Sequence, residues 1–337
     1  MTQDRTLMRR RLLACAPLAI ASAWLTSVRA QAPADKPVRL ICGHPPGGQA
    51  DVIARIISPR LGELLEQTIV NEYRAGAAGT IAATLVARSP PDGRTLLACS
   101  SGNLALARVM TADLAYDPLR DFTLIARIAL VPSVLAVGSW LPVTSVSELI
   151  DYAKAHPGKL AAGSSGNGST SGFSLEMLKA TSGADILQVP YGGLAPAVQG
   201  LLSRQVDLVF VDYALVAPHA KAGSARLLAT PASRRLAALP ELPTLREQGL
   251  PAFAIDAWVG IVAPAGLPPD VFARLSNALR GVAQTREVRR RLQETGFEPL
   301  DDTPAQFREA VVDDVARFSA VARRLGINPA GEKSQRS

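Results

Sequence analysis

The sequence predicts an α/β protein of two domains with parallel-sheet layers, and three observations carry that prediction. Short apolar runs rich in branched residues alternate with amphipathic runs along most of the chain. The 337 residues suffice for two ordinary domains. Four Gly- or Ser-rich loops, at 43–51, 75–80, 100–103 and 163–172, each follow a strand-like run and precede a helix-like one. In a parallel sheet such loops gather at the carboxyl ends of the strands, where ligands bind.

The first strand is Val38–Cys42, and the helix after it places Val52, Ile53, Ile56, Ile57, Leu61, Leu64 and Leu65 at helical spacing. Pro59 lies inside that period and predicts a kink. Thr68–Asn71 reads as a second strand, and Ala75–Thr80 repeats the small-residue entry to a helix at Ile81–Arg88. Pro90-Pro91-Asp92-Gly93 is a turn. Thr95–Cys99 is the third strand, and the branched run Leu124–Val137 reads as one strand crossing to the next layer.

A second unit opens with the helix Val146–Ala155, capped by Ser145 or Ser147 and stopped by His156-Pro157-Gly158. The strands Leu160–Ala162, Ile186–Val189, Val206–Asp212 and Ala225–Ala229 follow, with helices from Phe173 and over Ala197–Ser203. Pro240–Pro251 reads as a connecting arm and Ala254–Ala263 as a strand. Helices at Pro269–Thr285 and Pro304–Leu325 complete the chain.

Residues 1–30 carry the features of an export signal. Arg9, Arg10 and Arg11 form its basic region, Leu12–Leu25 its apolar core, and Val28-Arg29-Ala30 its cleavage site, so the mature chain begins at Gln31. The Arg run suits Sec or twin-arginine export. Removing the signal takes five Arg and one Asp and lowers the formal charge from +7 to +3. That charge and an aromatic content of only 5% argue against a nucleic-acid partner. The three His, at 44, 156 and 219, have no metal-binding spacing, and no cofactor motif is present. Cys42 and Cys99 read as small buried hydrophobes, although an exported compartment also permits a disulfide.

The loop Gly43–Asp51 is the first candidate for chemistry. Pro45 and Pro46 stiffen its entry, Gly47 and Gly48 let the backbone turn, and Asp51 is expected as the helix cap. Free N–H groups at a helix start favour an anion. None of the four loops places Lys or Arg at its centre, so backbone dipoles, hydroxyls and amides are expected to recognise a small carboxylate. Asp212, at a strand end, is the candidate for a ligand amine or bridging water, and His44 faces the cleft beside the anion site. A serine hydrolase built on Ser164 or Ser165 is an alternative, but Gly163-Ser164-Ser165-Gly166 is not a nucleophile elbow, and catalysis is not expected.

Several motifs in order resemble the Bug-type (TctC) substrate-binding proteins of tripartite tricarboxylate transporters. They are Pro45-Pro46-Gly47-Gly48 with Asp51 and Ala54-Arg55, Ala75-Gly76 with Gly79, and Pro91-Asp92-Gly93. Tyr116-Asp117-Pro118, Pro157-Gly158-Lys159-Leu160, the run Ser164–Thr170, Val189-Pro190-Tyr191, Gln205-Val206-Asp207 and Ala263-Pro264-Ala265-Gly266 continue the order. The resemblance spans about Lys36 to Ile327. It implies a periplasmic-binding-protein type II architecture, two parallel-sheet lobes joined by a two-crossing hinge. Lobe 1 is expected at 36–135 plus 255–327 and lobe 2 at 136–254, with 328–337 as a tail.

The resemblance further implies a periplasmic receptor, not an enzyme, that binds a small organic acid and delivers it to membrane permease subunits. By match, the ligand would be held by the loop at Pro46, Gly47, Gly48 and Asp51, with His44 and Ser101 beside it. Ser164, Ser165, Asn167, Ser169 and Thr170 would close from the other lobe, with Asp212 as the strand-end acid. An extracytoplasmic partner of a membrane histidine kinase is the alternative role. Four departures from the family bear on specificity. His44 replaces an aromatic or small residue, Gly172 and Leu104 stand where many members carry His, and Gly192 where many carry Lys or Arg. An acid commonly sits one position earlier, at Val211. Together the losses imply a less polar distal pocket, suited to a monocarboxylate or an aromatic acid.

Overall fold

Eleven strands and ten helices follow one another from Val38 in the computed structural model, which describes residues 36–166 and 168–327. The expected signal, its cleavage site, the expected tail and Asn167 lie outside the described residues. No described helix is long and apolar enough to cross a membrane.

The first lobe begins with β1 (Val38–Cys42), α1 (Gln49–Leu65), β2 (Ile69–Tyr73), α2 (Thr80–Ala87), β3 (Thr95–Ser100), α3 (Ala107–Met110) and β4 (Phe122–Leu130). The second contains β5 (Ser133–Gly138), α4 (Val146–Ala155), β6 (Leu160–Ser164), α5 (Thr170–Ser182), β7 (Ile186–Pro190) and α6 (Leu194–Leu202). It ends with β8 (Leu208–Asp212), α7 (Tyr213–Lys221) and β9 (Ala225–Ala229). The chain then returns through β10 (Trp258–Pro264), α8 (Pro269–Gln284), α9 (Arg286–Glu294), β11 (Glu298–Pro299) and α10 (Pro304–Leu325).

Two sheets result. One is six-stranded in the order β11-β4-β10-β3-β1-β2, and the other five-stranded in the order β7-β6-β8-β5-β9. The expected purely parallel sheets are corrected, because both are mixed. β1 pairs parallel with β2 and β3, but β10 runs antiparallel to β3 and β4. β6 pairs parallel with β7 and β8, but β5 runs antiparallel to β8 and β9. The reason is topological. β5 and β10 are the first strands after the chain changes sheets. It leaves one sheet at the carboxyl end of a strand, on the cleft side. It therefore enters the other sheet from that side and runs away from it.

The branched run expected as one crossing strand is two strands, broken at Val131-Pro132. Proline supplies no N–H to a ladder. Val131 N–H instead donates to Ala257 O at 2.8 Å, tying the outgoing segment to the returning one.

Strand alternation explains why these strands read as continuous apolar runs. Leu40, Leu96 and Ala98 pack with α1 and α8 on one face of the first sheet, while Ile41, Leu97 and Cys99 pack with α2 and Phe307 on the other. Both faces are covered, so neither register is polar. The second sheet repeats this, with Leu208 and Phe210 on one face and Val209 and Val211 on the other. Cys42 and Cys99 are free thiols, both buried. Burial pushes the Cys42 thiol up to about 12.

α10 adds a connection beyond the two expected crossings. Phe307 and Val311 pack in the first lobe against Trp258, whereas Phe318 and Ala322 pack in the second. Phe318 meets Phe173 edge-on at 5.6 Å. Trp258 Nε1 donates to Asp314 Oδ2 of α10 at 2.7 Å where the chain re-enters the first sheet. Trp258 is thus a core residue.

Ser145 caps α4 by accepting Glu148 N–H. α1 passes through Pro59 as one helix. α7 and α9 have no counterpart in the sequence reading. α7 carries Pro218 inside it and α9 buries only Val288 and Leu292, so neither presents a long apolar period.

Candidate functional site

A cavity of about 580 Å³, counted out to the solvent, lies between the two sheets' carboxyl ends. Loops that begin helices line it from both lobes.

From the first lobe come His44, Pro45, Pro46, Gly48 and Gln49. Gly47 turns the loop at φ +90°. Asp51 is buried and does not cap α1; the N-cap is Gly48, with no side-chain bond. The Asp51 carboxylate instead accepts from Gly47 N–H at 2.7 Å, from Arg55 Nε at 2.7 Å and from the Tyr73 hydroxyl. Burial alone would raise its pKa, but the bonds from Arg55, Gly47 and Tyr73 outweigh it and hold the acid below the usual range. Asp51 is therefore corrected from a cap to a brace that fixes the loop. It does not line the cavity, nor does Gly47, which faces a neighbouring one. The bracing leaves the N–H groups of Gln49 and Ala50 without a hydrogen-bond partner among the described residues.

The loop after β3 forms the floor. Ser100 and Gly102 line the cavity, whereas Ser101 is buried with its Oγ unpartnered among the described residues. Asn103, which the sequence reading includes only as a loop residue, is 1% exposed. Its Oδ1 accepts Ser100 N–H at 2.8 Å, and its Nδ2 has no partner among the described residues. A methyl on Gly79, at φ +88°, would stand 2.8 Å from Asn103 Nδ2 and 3.2 Å from His44 Cε1, so only glycine fits. His44 is half-buried, its Nδ1 has no partner among the described residues, and desolvation lowers its pKa. Leu104 is fully buried in the core, so it takes nothing from the cavity's polarity.

The second lobe contributes Ser165, Ser169 and Thr170. Ser169 is the N-cap of α5 and accepts Gly172 N–H at 3.1 Å. Ser171, which the sequence reading includes only as a residue of the 163–172 loop, ties the loop by meeting Ser169 Oγ at 2.9 Å and Ser165 Oγ at 3.2 Å. Ser164 lies behind this wall, accepting from Gln188 Nε2 at 2.7 Å and from Gly166 N–H at 3.3 Å. Ser164 is thus placed as support and outside the cavity lining. A methyl at Gly172 would fall 2.3 Å from Gly166 O, so no side chain fits there in this loop conformation. Gly192 opens to free space.

Two further elements complete the walls. Gly193, Leu194 and Ala195 at the start of α6 line the cavity. Their sequence signal is Pro190-Tyr191-Gly192-Gly193, a fifth strand-to-helix loop of the same design. Asp212 ends β8, is 5% exposed and accepts no hydrogen bond from any described residue. Desolvation pushes its pKa up to about 7.

Three helix starts, at α1, α5 and α6, thus converge on one cavity with no Lys or Arg among its lining residues. Their unpaired N–H groups and aligned dipoles supply partial positive charge, suited to an anion of modest charge. Among the described residues no group of His, Cys, Asp and Glu could hold a metal.

Comparison with known proteins agrees with this architecture. The family model described as "tripartite tricarboxylate transporter family receptor" matches residues 53–327. The chain is 33% identical to protein BugT of Bordetella pertussis over 94% of this chain and 98% of the relative. An R. palustris protein solved with adipate is 36% identical, with a TM-score of 0.82, over 87% of this chain and 98% of that one. MatC of Rhodopseudomonas palustris, solved with malate, is 33% identical, with a TM-score of 0.80, over 85% and 98%. The chain belongs to the receptor family of the tripartite tricarboxylate transporters, the Bug/TctC proteins.

Proposed function

We propose that the chain is a periplasmic solute receptor that holds a small organic carboxylate between its lobes and delivers it to membrane permease subunits. The observation that carries this is the convergence of the α1, α5 and α6 N-termini on a cavity without a cationic side chain. Such a site favours a small anion, because unpaired N–H groups and helix dipoles supply partial positive charge. The adipate and malate held by its relatives are of the same class.

In this reading the unpaired N–H groups of Gln49 and Ala50, beside Pro46 and Gly48, and the hydroxyls of Ser165, Ser169 and Thr170 take the carboxylate. His44 and Asp212 flank it. Ser164 and Ser165 have structural partners, Gln188 and Ser171, in place of a general base, which supports a receptor without a reaction of its own. Export with cleavage after Ala30 places it in the periplasm.

Mass spectrometry of small molecules released from the purified protein by mild denaturation tests the reading. An organic acid is the expected result, and a neutral sugar or a cationic amine refutes it. Amino-terminal sequencing of the exported protein is expected to begin at Gln31.

A further inference from the structure

A second cavity adjoins the first and occupies about 1310 Å³, counted out to the solvent. Gln49 and Asp212 line both cavities. They come from opposite lobes, Gln49 from the first turn of α1 and Asp212 from the end of β8. These two polar residues therefore stand at the partition between the cavities. Gln49 Oε1 is buried and has no partner, and the Asp212 carboxylate accepts no hydrogen bond, among the described residues. Because neither group has a hydrogen-bond partner among the described residues, opening the partition breaks no hydrogen bond between them.

Beyond the partition the chemistry changes. Val52 of α1 and Phe297 form one wall, and Ala214, Leu215 and Ala217 of α7 face them. Lys221 and Glu294, both exposed, bring one charge of each sign to the lining, so it gives no preference for a second anion. Both linings are mainly apolar; the first is bordered by the starts of α1, α5 and α6, and the second by α7 and the segment from Gln293 to Phe297.

We infer that the second cavity is a tail subsite for an organic acid whose apolar body, an alkyl chain or aryl ring, runs from the helix N-termini between Gln49 and Asp212 and onto α7. This rests on the carboxylate reading above and names the class of acid. A long or aryl monocarboxylate reaches from the first cavity into the second, whereas a short acid stays in the first.

Calorimetric titration of the mature chain, freed of copurified ligand, with the straight-chain acids propanoate to octanoate and with phenylacetate tests the inference. Burial of each methylene is expected to tighten Kd about four-fold until the chamber is full. Ala217→Trp and Gln293→Trp fill the chamber from opposite walls, and each is expected to collapse the octanoate-to-propanoate affinity ratio toward one. A Kd that does not change with chain length while propanoate binds overturns the inference and leaves the carboxylate reading standing. So does an unchanged ratio in both folded Trp variants. If none of these acids binds while adipate or malate does, this inference falls and the carboxylate reading stands; if adipate and malate fail as well, both fall. The wild-type length series decides the matter even if a Trp variant does not fold.

Discussion

Replacing Asp212 by Asn removes one buried charge and should make the ligand-free protein more stable, increasingly so as pH rises. The Asp212 carboxyl is 5% exposed, lacks a hydrogen-bond partner among the described residues, and has its pKa pushed by desolvation to about 7. In the unfolded chain it returns to an ordinary aspartate value of about 3.9. Between those values the folded state holds a proton that the unfolded state has released. Stability is therefore lost as pH rises from about 4 to about 7 and is constant above that. Each pH unit is worth about 1.4 kcal/mol, so the full span is on the order of 4 kcal/mol and the share between pH 5 and pH 8 about 3 kcal/mol. Asn cannot ionise and escapes the loss. The wild type and Asp212→Asn are to be compared by thermal unfolding at pH 5 and pH 8, since other titrating groups cancel in the difference. The gap between their Tm values should widen at pH 8 by on the order of 5–10 °C. An equal gap at both pH values would refute the reasoning, because Asp212 would then be solvated or paired.

Further outcomes follow from the loops and from α10. Asp51→Ala removes the brace on Gly47 and should weaken carboxylate binding about ten-fold in titration, in line with charge-assisted bonds worth about 1.5–3 kcal/mol, although Asp51 does not line the cavity. Gly172→Ala should lower Tm and weaken binding, since its methyl meets Gly166 O, while Gly192→Ala changes neither. Phe318→Ala should cost about 3–5 kcal/mol in denaturant unfolding, because Phe318 is buried against Phe173 where α10 enters the second lobe.

Much of the fold was legible because its signals are local. Val38–Cys42 reads as a strand from its own five residues, and Ser145 reads as a cap from its position before an amphipathic run. The helices α7 and α9 were not legible. α7 is ordered by packing beside β8 and β9 despite Pro218, and α9 by two apolar contacts under a charged surface. Loop design was legible for four strand-to-helix turns. The fifth, at Gly192-Gly193, is not among them, yet it brings Gly193 and Leu194 to the cavity. Asp51 shows the opposite limit. The sequence places an acid near a helix start, and only the positions of Arg55 and Tyr73 show that its charge is already engaged.

By itself, the sequence determined the α/β layers, the glycine- and serine-rich turns that begin the helices, and the absence of cations at the centre of those turns. All of these depend on neighbours within a few positions, where backbone geometry and side-chain periodicity act. Tertiary structure alone decided which strands run antiparallel, that α10 belongs to both lobes, and that Ser164 supports the wall while Ser165 faces the cavity. It also decided that Gln49 and Asp212, 163 positions apart, both line the two adjoining cavities. Such relations depend on which side of a sheet the chain enters and on which groups are left without partners once the lobes have packed. Both are properties of the assembled molecule and leave no local trace in the order of residues.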